Sequence, residues 1–157
     1  TKIVSYRNWD FEVDFERTKH VYALEESGSP ENCNCSDCKN FALNRENIYR
    51  KEFKNLLSDL GVDYKKESEI FSIPLDKNCS QYGGWFHFKG KILKGKDAKI
   101  PLGNNGSTVE FFQISEEFGI AFMKDRSLSF FDKSERNELI QVEFMAKTNW
   151  GTWEFAT

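Results

Sequence analysis

Asn40-Phe41-Ala42-Leu43-Asn44-Arg45-Glu46-Asn47-Ile48-Tyr49-Arg50-Lys51-Glu52-Phe53-Lys54-Asn55-Leu56-Leu57-Ser58-Asp59-Leu60-Gly61-Val62 carries the one long helical pattern in the chain. Phe41, Ile48, Phe53, Leu56, Leu57 and Leu60 form a broad apolar stripe at helical spacing, with polar and charged residues between them. A stripe of this width has to be buried, and it calls for a sheet to pack on. The pattern also has a stop, because Gly61 followed by Val62 suits a left-handed cap with its hydrophobic contact. Its start is open among Ser36, Asp37 and Asn40, each able to cap a helix. Asp63 could cap a further short turn through Glu69.

Upstream, Asp10-Phe11-Glu12-Val13-Asp14-Phe15-Glu16 alternates strictly, with Phe11, Val13 and Phe15 on one face and four carboxylates on the other. A turn near Arg17-Thr18 then leads to an expected second strand from Lys19 to Glu25, broken by Ser27-Gly28-Ser29-Pro30. Beyond Pro74 the expected strands are Gly84 to Leu93, Thr108 to Ile114, Gly119 to Met123, Leu128 to Phe131, Leu139 to Lys147 and a short Thr152 to Phe155. Asn105-Gly106 is a strong hairpin signal and Asp125-Arg126 a weaker one. Strands that run together after one main helix predict an α+β fold, a mostly antiparallel sheet with the helix packed on it. Without repeats or linkers, residues 1–157 read as a single domain.

Composition agrees with one wet-surfaced core. Fifteen Phe supply core volume while 30% of residues are charged. A net charge of -3, with no basic run, argues against nucleic acid as a partner. No apolar stretch is long enough to span a membrane, and Thr1-Lys2-Ile3-Val4-Ser5 has no signal-peptide core, so a cytoplasmic location without membrane partners is expected. In that reducing setting four cysteines point to thiols or metal ligands rather than disulfides.

Three of them fall together in Cys33-Asn34-Cys35-Ser36-Asp37-Cys38, directly before the helical pattern. Cys35 and Cys38 have the spacing with which a tight turn grips zinc, Cys33 supplies a third thiolate, and the following helix start favours negative sulfur. A fourth ligand would come from Cys79, His87 or His20, the remaining Cys and His residues of the chain. Four protein ligands would make a closed staple for the helix, and three would leave a position for substrate. The same pair, Cys35 attacking and Cys38 resolving, would serve a thioredoxin-like dithiol, but the strand that should precede such a motif is missing. Without metal, these are thiols in a surface loop. Glu25, Glu26 and Glu31 stand nearby as outer groups or acid/base candidates, or simply as solvated loop charges.

The second unusual stretch is Gln81-Tyr82-Gly83-Gly84-Trp85-Phe86-His87-Phe88-Lys89-Gly90. Alternation sends Phe86 and Phe88 to the core and Trp85, His87 and Lys89 to the other face. Trp85 and His87, with Tyr82 beside them, make a candidate binding surface, and His87 is also a candidate metal ligand or general base. The plainer alternative leaves Trp85 and His87 under a helix or loop as structural residues.

Cys33-x-Cys35-x-x-Cys38-x-Asn40-Phe41, then Leu60-Gly61-Val62-Asp63 with Lys66-Glu67-x-Glu69, then Tyr82-Gly83-Gly84-Trp85-Phe86-His87-Phe88 together resemble a group of small bacterial proteins without an assigned function. The resemblance runs from Cys33 to about Gly90. It implies that the cysteine and Gly-Gly-Trp stretches belong to one design, and it implies no activity. The leading expectation is a non-catalytic binding or interaction domain with a zinc knuckle, whose partner is another protein or a small molecule. One competing class is a thiol- or metal-dependent enzyme using Cys35 and Cys38 with His87 as base. Another is an immunity-type inhibitor whose acidic face, through Glu12 and Asp14, meets a basic bacterial protein.

Overall fold

The structure is a computed structural model that describes residues 1–77, 79–125 and 127–149. Its centre is a seven-stranded sheet in which every pairing among the described residues is antiparallel. The strands are β1 (Lys2–Tyr6), β2 (Trp9–Val13), β3 (Glu69–Asp76), β4 (Cys79–Lys94), β7 (Phe112–Ser115), β8 (Phe118–Lys124) and β9 (Leu139–Asn149). They run in the order β1-β2-β4-β9-β8-β7, with β3 also on β4. A separate hairpin, β5 (Lys99–Pro101) and β6 (Ser107–Val109), turns at Asn105, whose φ of 66° answers the Asn-Gly signal. Among the described residues three α-helices complete the fold: α1 (Phe15–Ala23), α2 (Ser36–Ile48) and α3 (Lys51–Leu60). Among the described residues no helix is long and apolar enough to cross a membrane.

The α+β expectation holds, but the one main helix is two. Tyr49 and Arg50 take extended backbone between α2 and α3 (ψ 127° and 149°). At the break Tyr49 is buried among the rings of Phe41, Phe53, Phe86 and Phe144 and donates its hydroxyl to Glu67 at 2.6 Å. The stop reads as expected: Gly61 has φ 86°, with Val62 N–H on Leu57 O (2.9 Å) and Gly61 N–H on Ser58 O (3.1 Å), a Schellman pair.

The expected strand from Lys19 to Glu25 is helix α1 instead. β2 ends at Val13, Asp14 accepts the Arg17 N–H at 3.1 Å as the N-cap, and Thr18, Val21 and Tyr22 are buried at helical spacing. Phe15 therefore leaves the face of Phe11 and Val13 to open a helix. Thr108–Ile114 is split between β6 and β7, because Glu110 N–H turns to Ala98 O at 2.9 Å. Leu128–Phe131 is loop, and both β1 and the early strand β3 are additions to the sequence reading. Arg126 of the Asp125-Arg126 turn and the Thr152–Phe155 strand lie outside the described residues.

Helices α2 and α3 cover the face of the sheet that carries Phe86, Phe118 and Phe144, where Phe53 meets all three rings. The opposite face is smaller and partly polar. There Ala121 and Met123 of β8 pack with Ala98, Val109 and Phe111.

β4 outruns its neighbours. One edge lies along β9 from Cys79 to Lys89, while the other pairs with β3 from Cys79 to Trp85 and with β2 from Gly90 to Lys94. Between them α1 satisfies the backbone. Asp14 N–H donates to Lys89 O (2.8 Å), Lys89 N–H to Thr18 Oγ1 (3.1 Å) and His87 N–H to the Tyr22 hydroxyl (3.0 Å), which in turn donates to His87 O (3.1 Å). Ser68 N–H on Trp85 O (2.9 Å) closes the gap from the β3 side. Tyr22→Phe removes both partners of the buried His87 peptide groups. It is expected to cost about 2–4 kcal/mol in a urea titration, from about 1–3 kcal/mol for each group left unpaired less any relief by water; a loss under about 0.5 kcal/mol would show that α1 does not serve this edge.

Candidate metal centre

The three clustered cysteines sit where a short 3-10 helix, Ser29–Asn32, hands the chain to α2. Gly28 is required at the approach: a Cβ there would meet the Glu67 backbone N at 2.7 Å, and Ser29 N–H bonds Glu67 O at 2.9 Å. The loop is then clamped by one guanidinium. Arg45 of α2 makes paired bonds to both oxygens of Glu67 (2.9 and 2.9 Å) and to both oxygens of Glu31 (2.9 and 2.9 Å). Glu67 is fully buried, and Tyr49 gives it a further bond. Burial opposes the charge on Arg45, but the hydrogen bonds of Glu31 and Glu67 outweigh it and raise its pKa above the ordinary value. Glu31, expected as an outer group near the thiols, is thus a structural anchor.

Cys35, rather than Ser36, Asp37 or Asn40, is the N-cap of α2, and its sulfur accepts the Cys38 N–H at 3.3 Å. Asp37 instead accepts the Ser72 hydroxyl at 2.8 Å, and its carbonyl takes the Tyr82 hydroxyl at 3.1 Å, fixing the helix start to β3 and β4. The Sγ atoms of Cys33 and Cys35 lie 3.2 Å apart, and those of Cys33, Cys35 and Cys38 all fall within 4.8 Å of one another. Cys35 is exposed and Cys38 buried. The Cys38 N–H and then the Cys33 thiol pull the Cys35 pKa down, whereas burial pushes Cys38 well above the ordinary thiol range. Four thiolates on zinc at about 2.3 Å stand about 3.8 Å apart, and the three sulfurs lie within 4.8 Å of one another. Beside the trio is a cavity of about 240 Å³, walled in part by Ser29, Asp37, Glu69, Phe71 and Ser72.

None of the three expected fourth ligands joins the cluster. His20 is exposed on α1. Cys79 and His87 are odd-numbered positions of β4, and side chains alternate along it. Tyr82 and Phe86 meet α2 and α3, since Phe41 lies against Tyr82 and Phe53 against Phe86. Cys79 and His87 therefore point to the far face, so the sheet separates His87 from the thiols it was expected to serve as base.

The surface expected from Tyr82, Trp85 and His87 is not presented as one. Tyr82 and His87 are fully buried on opposite faces, and half-buried Trp85 donates its indole N–H to Leu128 O at 2.8 Å. His87 belongs to a buried polar chain. Gln141 donates to Glu143 at 2.9 Å and turns its oxygen to His87 Nε2 at 3.0 Å, which assigns the hydrogen to Nε2. Nδ1 has no hydrogen-bond partner among the described residues. The carboxylates of the acidic strand are dispersed: Asp10 accepts from Ser5 (2.7 Å), Glu12 pairs with Lys91 (3.6 Å) and Asp14 caps α1. The Arg45 clamp was missed by sequence reasoning, and only the Lys66-Glu67-x-Glu69 run hinted at it.

Two measurements test this reading. Arg45→Met strands the buried Glu67 charge and is expected to cost about 3–5 kcal/mol in chemical denaturation, whereas Arg7→Met, which breaks an exposed pair with Glu52 at 2.8 Å, is expected to leave the denaturation midpoint nearly unchanged. Burial also lowers the His87 pKa from 6.5 to about 4. Between those values the unfolded chain binds a proton that the folded protein refuses, so stability falls on acidification from pH 6.5 to pH 4 and levels off below. Wild type is expected to lose up to about 3 kcal/mol more than His87→Gln between pH 7 and pH 4; equal losses would mean that the ring is protonated in place.

Comparison with family models, curated proteins and solved structures finds no match to this chain, so its function has to be argued from its own residues.

Proposed function

We propose that this is a non-catalytic binding domain of a bacterial, cytoplasmic protein in which the thiolates of Cys33, Cys35 and Cys38 hold one soft metal ion, zinc first. The observation that supports it is the gathering of three sulfurs within 4.8 Å on a loop that a buried guanidinium holds in place. Three thiols at this distance repel once ionised, and a divalent cation is what relieves them. The ion ties the 3-10 helix to the start of α2, so it fixes the face on which a protein or small-molecule partner would dock. A non-catalytic role is favoured because the candidate base, His87, lies across the sheet from the thiols.

Purification without chelator or nickel, followed by elemental analysis and thiol titration, tests the reading. About one zinc per chain is expected, with three thiols unmasked by chelation, loss of the metal in Cys35→Ser and its retention in Cys79→Ser. Metal-free protein that takes up no added zinc, with its thiols freely reactive, would overturn it.

A further inference from the structure

The trio offers three ligands where zinc takes four. Every other Cys and His of the 157 residues can be placed: Cys79 and His87 point away on the far face of β4, and His20 is on the exposed side of α1. The nearby carboxylates are also engaged elsewhere. Asp37 Oδ2 accepts from Ser72 at 2.8 Å, while Glu69 Oε1 accepts from Ile70 N–H at 3.0 Å and Ser29 at 3.2 Å. Neither belongs to the group of ligand atoms within 4.8 Å.

The cavity beside the sulfurs has room for an incoming ligand. At about 240 Å³ it holds the volume of about eight waters, enough for a five-membered ring. Charge selects among donors. Three thiolates on a divalent ion leave a net negative centre, and the Asp37 and Glu69 carboxylates wall the same cavity. A fourth thiolate or a carboxylate would enter against that field, while a neutral imidazole would not. Three thiolates with one imidazole is moreover a complete tetrahedral zinc set.

We infer that the Cys33, Cys35 and Cys38 centre is open toward this cavity and that its fourth ligand is an imidazole supplied by another molecule. The inference rests on the metal reading above. The imidazole has two sources, the exposed His20 of a second copy of this chain or a histidine of a different partner.

Cobalt(II) protein, whose visible absorption reports the ligand set, distinguishes these. Titration of dilute cobalt protein with imidazole is expected to give a saturable spectral shift, larger than that from equal 2-mercaptoethanol, in wild type and equally in Cys79→Ser. A spectrum indifferent to imidazole, or one shifted more by the thiol, would overturn the inference while leaving the metal reading intact. Protein that takes up neither cobalt nor zinc would overturn the metal reading itself. Raising the protein concentration without imidazole separates the sources. A move toward the imidazole spectrum with dimer formation, abolished by His20→Ala, assigns the ligand to a second copy, and a spectrum independent of concentration assigns it to a different partner.

Discussion

The long strand β4 has more edge than its neighbours can pair, and the fold is arranged around that excess. From Trp85 to Gly90 the strand lies between β3 and β2, inside the protein, where an unpaired peptide group costs more than a typical hydrogen bond returns. Helix α1 answers with a side-chain ladder: Thr18 takes one N–H, and the Tyr22 hydroxyl serves both the N–H and the carbonyl of His87. This demand explains why the segment after β2 is a helix. A strand there would have to displace β3 or β2 from the same edge, whereas a helix set across it brings Thr18 and Tyr22 to alternate residues of β4.

The cysteine loop depends on a second buried arrangement, the two carboxylates on Arg45. Exposed ion pairs add little to stability, but Glu67 is fully buried and its charge is tolerated only because Arg45 and Tyr49 meet it. The same guanidinium reaches Glu31, two residues before Cys33, so helix α2, the 3-10 helix and the segment leading into β3 share one junction. The junction thus holds the loop that carries the three thiols against the start of α2.

The sheet divides the chemistry of the chain into two compartments. Thiols, Tyr82 and the rings of α2 and α3 occupy one face. On the other, His87, Gln141 and Glu143 form a polar chain, with the Trp85 indole tied to the loop after β8. Stretches that look like parts of one site in sequence are thus kept apart by the alternation of a single strand. The burial that silences His87 as a base also makes it a proton-linked element of stability.

The local rules in the sequence were sufficient for much of this. Alternation identified β2 and the core positions Phe11, Val13, Phe86 and Phe88. Asn105-Gly106 marked the hairpin and Gly61-Val62 the end of α3, because each depends on backbone conformations that few residues adopt. Cysteine spacing located the trio, since neighbours within six residues cannot be far apart. Tertiary structure decided the rest. Residues 15–23 became helix to serve the β4 edge, and the long helical pattern was broken at Tyr49 and Arg50, where Tyr49 reaches Glu67 from among four aromatic rings. Cys79 and His87 were kept from the thiols by strand parity, and Arg45 could be matched with Glu31 and Glu67 only once the chain had folded. Contacts between residues distant in sequence leave no periodic trace, so these are the features that the sequence by itself could not determine.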